Sequence, residues 1–103
     1  MDECELYLLL PRAMEPALVD LLLDSPDLVL FTSQPVYGHG GGHRGLSSRE
    51  KVQGKESQCL VRILAERPAA ERILAGLRAS LSAGPGRPRL RYWLVPVLAS
   101  GEI

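Results

Sequence analysis

Cys59-Leu60-Val61-Arg62-Ile63-Leu64-Ala65-Glu66-Arg67-Pro68-Ala69-Ala70-Glu71-Arg72-Ile73-Leu74-Ala75-Gly76-Leu77 changes its hydrophobic period in mid-course. Cys59, Val61 and Ile63 alternate with Leu60 and Arg62, a period of two that belongs to a strand. From Ala70 the apolar residues fall at 70, 73, 74, 77 and 81, the period of an amphipathic helix. Pro68 stands where a helix begins and tolerates a missing N–H. Arg72, Arg78 and Ser80 fall on the wet side. A strand beginning near Val52 and ending near Ala65 thus passes directly into a helix. Gly54 marks a bulge or a close backbone contact in that strand.

The first part of the chain repeats the plan. Cys4–Leu10 starts with alternation, ends in a continuous apolar run and is stopped by Pro11, which suits a buried strand. Pro16 fits a first helical turn, and Glu15 sits well at the positive end of the helix dipole. The helix is expected to run to about Asp24, burying Leu18, Val19, Leu22 and Leu23, and to end at Ser25-Pro26-Asp27. A second strand starts at Leu28 and continues through Pro35, which bends it or marks an exposed edge, to Val36 and Tyr37. Ala83-Gly84-Pro85-Gly86 breaks the second helix, and Arg89–Leu98 forms the last strand. In it Leu90, Tyr92 and Leu94 share one face while Trp93, Val95 and Val97 share the other with Arg91. A strand apolar on both faces needs cover on both sides. Helices can supply one cover, and in so small a chain the other falls to a second copy.

The order β-α-β-β-α-β predicts an α+β, ferredoxin-like domain over residues 1–103: a four-stranded antiparallel sheet with both helices on one face. Between strands two and three, residues 38–51 have no usable periodicity and read as a long functional loop. Five of the ten glycines and both histidines lie there, in Gly38-His39-Gly40-Gly41-Gly42-His43-Arg44-Gly45.

Several function classes are disfavoured by composition. Net charge is zero, so no global attraction to nucleic acid or an anionic membrane is expected. Residues 1–27 nevertheless carry seven acids against Arg12, and the rest carries eleven bases against five acids. This segregation cancels within the fold or serves subunit packing or an anion site near Arg87, Arg89 and Arg91. The longest apolar runs are too short to cross a bilayer, and the acidic N-terminus does not read as a secretory leader, so a cytoplasmic protein with reduced thiols is expected.

Three chemistries compete for the loop. His39 and His43, four residues apart, can chelate Cu, Zn, Co or Ni if Cys59, Cys4 or a neighbouring copy completes the shell. Two imidazoles alone bind weakly, and they serve equally well as solvated loop residues. Glycine amides with Arg44, Lys51, Lys55, Arg87, Arg89 or Arg91 can cradle a phosphate, although no Walker or dinucleotide motif is present. Ser47, Ser48 and Glu50 near the histidines do not make an enzyme, because a glycine-rich loop orients catalytic groups poorly. Cys4 and Cys59, both on strands, are expected as buried thiols.

Phe31-Thr32-Ser33, Pro35-Val36, Gly38-His39-Gly40, Gly45-Leu46-Ser47, Glu50-Lys51-Val52, Gly54, Tyr92-Trp93, Pro96-Val97 and Ser100-Gly101 together resemble a small, uncharacterised PII-like family. It lies within the superfamily of PII signal-transduction and divalent-cation tolerance proteins and is often found beside heavy-metal efflux systems. The resemblance implies a non-catalytic homotrimer with sheets facing inward. It makes residues 38–51 the counterpart of the PII T-loop, which contacts a partner protein. Arg44, Ser47 and Glu50 are the candidate contacts, and a metal-efflux component is the expected partner. It also implies a ligand cleft between subunits at the loop base, where Gly38 and Gly40 match the family's glycines and Arg87, Arg89 and Arg91 would supply charge. The chain lacks the Gly-Asp-Gly-Lys turn and the Gly-Arg-Gln-Lys run of nucleotide-binding members. A nucleotide sensor and a ligand-free interaction module therefore stand as alternatives.

Overall fold

The computed structural model describes residues 2–27, 30–40, 55–81 and 90–103. Strand β1 spans Glu3–Pro11, a 3-10 turn Arg12–Met14, helix α1 Glu15–Leu23 and strand β2 Leu30–Gly38. Strand β3 spans Glu56–Glu66, helix α2 Arg67–Leu81 and strand β4 Arg91–Pro96. The sheet order is β2-β3-β1-β4, and every pairing is antiparallel. This is the expected α+β architecture, in which the two βα units place their own strands at the centre.

Alternation on the central strands divides the residues between two faces. Cys4, Leu6, Leu8 and Leu10 of β1 are buried, as are Cys59, Val61, Ile63 and Ala65 of β3. The helices close over them with Leu18 and Leu22 of α1 and Ala70, Ile73, Leu74 and Leu77 of α2. This is the stripe that the sequence spacing predicts for the second helix. Burying one leucine there contributes about 2 kcal/mol.

Helix α1 differs in detail. Leu18 and Leu22, one turn apart, face the sheet, and Leu21 packs beside them. Leu23 is 64% exposed, which corrects its expected burial. One further residue rotates a side chain by about 100° around the helix, off the buried stripe. Ser25 N–H donates to the Leu22 carbonyl at 3.0 Å and closes the helix where the Ser-Pro-Asp signal put its end. Asp27, just beyond, receives Arg72 of α2 in a two-pronged ion pair, Nε to Oδ2 at 2.9 Å and Nη2 to Oδ1 at 2.8 Å. The acidic first segment is thereby fastened to the basic remainder.

The last strand is shorter than expected. It ends at Pro96, although Val97 N–H still donates to the Glu3 carbonyl at 3.0 Å. Leu98 lies outside it, fully exposed. Pro35 stands within β2, an edge strand, where a missing N–H is tolerated.

Among the described residues no helix lies on the second face of the sheet. Register places Trp93 opposite Tyr7 and Val95 opposite Glu5, while Tyr7 faces Arg62 on its other side. The Tyr7 and Trp93 rings stack at 5.1 Å between centroids with 10° between planes, and Arg62 lies 5.4 Å over Tyr7. Leu9, Leu60 and Leu64 on this face are half-buried, and Leu30, Trp93 and Val95 are exposed.

Candidate functional site

The root of the stretch that the sequence reads as a long loop is built from the ends of three strands. Tyr37 stands opposite Ser57 near the end of β2, and Pro35 stands opposite Cys59. Pro11 of β1 stands opposite Gln58. After Pro11 the chain turns into the 3-10 helix, which sets Arg12 on the helix side beside these strand ends. Tyr37, Lys55 and Cys59 share that side by their two-residue spacing.

The arrangement gathers two cations on one phenol. Lys55 Nζ lies 3.9 Å from the Tyr37 ring centroid, and Arg12 Cζ lies 5.5 Å from it. Arg12 Nη2 also donates to the Val36 carbonyl at 3.2 Å. Its Nε is buried without a hydrogen-bond partner. Among the described residues the ion pairs are Arg67–Glu71 and Arg72–Asp27, so neither Arg12 nor Lys55 has a carboxylate within ion-pair distance. Glu15, at the start of α1, lies close to the Cys59 thiol. Burial and the hydrogen bond to Glu15 push that thiol up to about 11.

This geometry separates the proposed metal ligands. Cys59 is 1% exposed and points into the core. It is aligned with Pro35, four residues short of His39, or about 13 Å along the strand. His39 is exposed at the loop root. Facing the core and displaced along the strand, Cys59 does not meet His39 on one ion within a protomer, contrary to expectation. Cys4 lies at the opposite end of the sheet, aligned with Ala65. Burial raises its pKa as well. Both cysteines are free thiols in the core. Among the described residues no group of three or more His, Cys, Asp or Glu side chains could hold a metal. His43, Arg44, Ser47, Glu50, Arg87 and Arg89 lie outside the described residues.

The glycines at the root have distinct geometries. Gly40 has φ +80°, a conformation that strains any residue with a Cβ. Against Gly38 lies the Gln58 side-chain amide, whose Oε1 occupies the space that a Cβ would take. Arg91 is exposed on the helix-free face, opposite Leu9. The order β2-β3-β1-β4 puts three interstrand steps, about 14 Å, between its strand and that of Gly38. One protomer therefore does not bring Gly38 and Gly40 together with Arg91.

Arg12 and Tyr37 were not singled out by sequence reasoning, since three separate elements contribute the cluster. A signal did exist: Tyr37 and Lys55 flank the glycine-rich stretch on its two sides, and Arg12 is the lone base among seven acids.

A four-stranded antiparallel sheet in the order β2-β3-β1-β4 with two helices on one face defines the class: this is the fold of the PII-like proteins. A CPII from Thiomonas intermedia K12, a nitrogen regulatory PII-like protein bound to ADP, AMP and bicarbonate, superposes with a TM-score of 0.62 at 14% identity, covering 97% of each chain. A PII-like signaling protein from Thermus thermophilus gives 0.63 at 16% identity, over 94% of this chain and 87% of that one. The family itself follows from the sequence: the model of DUF3240, a protein family of unknown function, matches residues 1–103, and the chain belongs to it. A crystal structure of a DUF3240 family protein from Shewanella baltica OS155 has a TM-score of 0.75 at 20% identity, over 98% of this chain and 96% of that one. No curated protein matches the sequence. No helix among the described residues is long and apolar enough to cross a membrane.

Proposed function

We propose that the chain is a non-catalytic, cytoplasmic sensor of the PII type. Three copies pack their helix-free sheet faces together, a small ligand binds at the loop root between copies, and residues 38–51 contact a protein partner. Neither nucleic acid nor a lipid bilayer is a target in this reading. The observation that carries it is the open sheet face, where Trp93, Val95 and Leu30 are exposed beside Leu9, Leu60 and Leu64. Large apolar side chains exposed on an open sheet face mark an association surface. Assembly would also bring Arg91 of one copy toward the loop root of another, which a single protomer does not achieve. The adenine nucleotides carried by the Thiomonas intermedia relative support the ligand class.

Light scattering tests the assembly, with three times the 11.2 kDa chain mass expected. Val95→Glu should reduce it to one chain mass. ADP and AMP at about 1 mM should then raise the melting temperature of the assembly and not of the monomer. A monomeric wild type would remove the reading.

A second reading keeps the transition metal. Its support is the four-residue spacing of His39 and His43, and without Cys59 the remaining ligands come from a neighbouring copy. A metal-efflux component is the partner in that case. Titration with Cu, Zn, Co and Ni against a His39→Ala/His43→Ala variant decides it. No binding tighter than about 100 μM would end the metal reading. If neither ligand class binds, a trimeric interaction module is left, and deleting residues 39–45 should then abolish partner capture without altering assembly.

A further inference from the structure

We propose that Arg12 and Lys55 form a phosphate site on the helix side of the loop root, complete within one protomer. The inference rests on the sensor reading for its purpose, but its geometry needs no second copy.

Two cations within reach of one exposed ring repel each other, and Tyr37 is 53% exposed. The ring face attracts each of them but neutralises neither. Among the described residues no ion pair offsets either charge. Glu15 and Arg12 both lie near enough to act on the Cys59 thiol, but among the described residues Glu15 makes no ion pair with Arg12 or Lys55. Glu56 alternates with Lys55 onto the opposite face of the sheet. His39 lies exposed beyond them.

The donors are equally uncommitted. Among the described residues Arg12 donates only from Nη2, to the Val36 carbonyl; its Nε is buried, so the other Nη hydrogens are the ones a ligand would meet. A guanidinium carries five N–H donors in a fork that matches phosphate oxygens. Lys55 Nζ touches only the ring face, leaving its three donors free among the described residues. A phosphate monoester carries about −1.5 to −2 near neutral pH and offers anionic acceptors to both cations. The Val36 carbonyl and the Tyr37 ring fix the guanidinium from two sides, so part of its side-chain entropy is already lost before the anion arrives.

The phosphate group can be free or borne by a nucleotide, and titration of the full chain separates the two. Inorganic phosphate should bind saturably to wild type. Arg12→Gln should weaken binding by about tenfold and Lys55→Gln by several-fold, as expected for lost charge-assisted bonds. Tyr37→Phe keeps the ring and should bind as wild type does. Circular dichroism checks that Arg12→Gln folds, and the more exposed Lys55 variant keeps the test decisive if it does not. Should AMP lose the same factors as phosphate, the natural source is a nucleotide; binding of phosphate but not AMP at this site identifies the free ion. No saturable phosphate binding up to about 10 mM, or unchanged affinity in both charge variants, overturns the site. AMP binding that survives both variants also overturns it, while leaving the sensor reading intact.

Discussion

Leu8 and Leu9 are neighbours in the chain and face opposite worlds. Leu8 is fully buried beneath the helices, whereas Leu9 lies half-buried on a face with nothing over it. The same contrast separates Val61 from Leu60 and Leu94 from Trp93. One face of the sheet has its cover supplied by its own chain. The other mixes Leu9, Leu60, Leu64, Trp93 and Val95 with charged residues and, among the described residues, has no such cover. The lesson is that strand alternation here sorts residues by who covers them as much as by polarity. Polar residues, among them Glu5, Thr32, Gln34, Arg62 and Arg91, surround the apolar ones on the open face, and Arg62 lies over the Tyr7 ring.

The largest effect that would break this contrast is at Leu8. Leu8→Ala should cost about 2–5 kcal/mol in urea unfolding, as truncation in a packed core does. Leu9→Ala should cost less than half as much in dilute protein, with a cost that grows with concentration as copies cover the face. Equal, concentration-independent costs would mean that both faces are covered within one chain.

Alkaline titration sharpens the covered side. The Cys59 thiol is held above its ordinary value of 9.0, up to about 11, chiefly by burial and by its bond to Glu15. In the unfolded chain the thiol loses its proton first, so stability falls as pH rises from about 9 to about 11. The loss should approach roughly 2 kcal/mol by urea unfolding and should vanish in Cys59→Ala. An alkaline limb identical in that variant would place the thiol in contact with water.

The smallest effect lies at the rim of the helix layer. Arg72 holds the Asp27 carboxyl below its ordinary value of 3.8. That stabilisation is present above the unfolded value and is lost as pH falls below it. Asp27→Asn should therefore lower the melting temperature slightly at pH 7 and change nothing at pH 2. A difference that persisted at pH 2 would show that Asp27 acts through its turn, not its charge.

How much of this was legible in the sequence depended on contrast. The stripe at Ala70, Ile73, Leu74 and Leu77 is readable because Glu71, Arg72, Ala75, Gly76 and Arg78, charged or small, are the residues between and after its large members. Leu21-Leu22-Leu23 has no such gaps, so its rotation about the helix axis was ambiguous and Leu23 was misplaced. The two-faced character of the last strand was plain from Trp93 and Val95 alternating with Tyr92 and Leu94. At Cys59, two readings conflicted. Alternation put it inside, and a ligand role required it to meet His39. The inward reading prevailed because its neighbours Val61 and Ile63 define the core. The Arg12–Tyr37–Lys55 cluster was beyond periodicity altogether, because it depends on how three strand ends line up.

The stacked pair of Tyr7 and Trp93 gives the molecule a built-in optical gauge. Trp93 is the chain's sole tryptophan. It sits on the uncovered face and not in the core, at 38% exposure. Its emission should therefore shift to the blue when a second copy covers it and respond weakly to rearrangements beneath the helices. Folding followed by circular dichroism and association followed by tryptophan emission should separate into two curves, only the second of which moves with protein concentration.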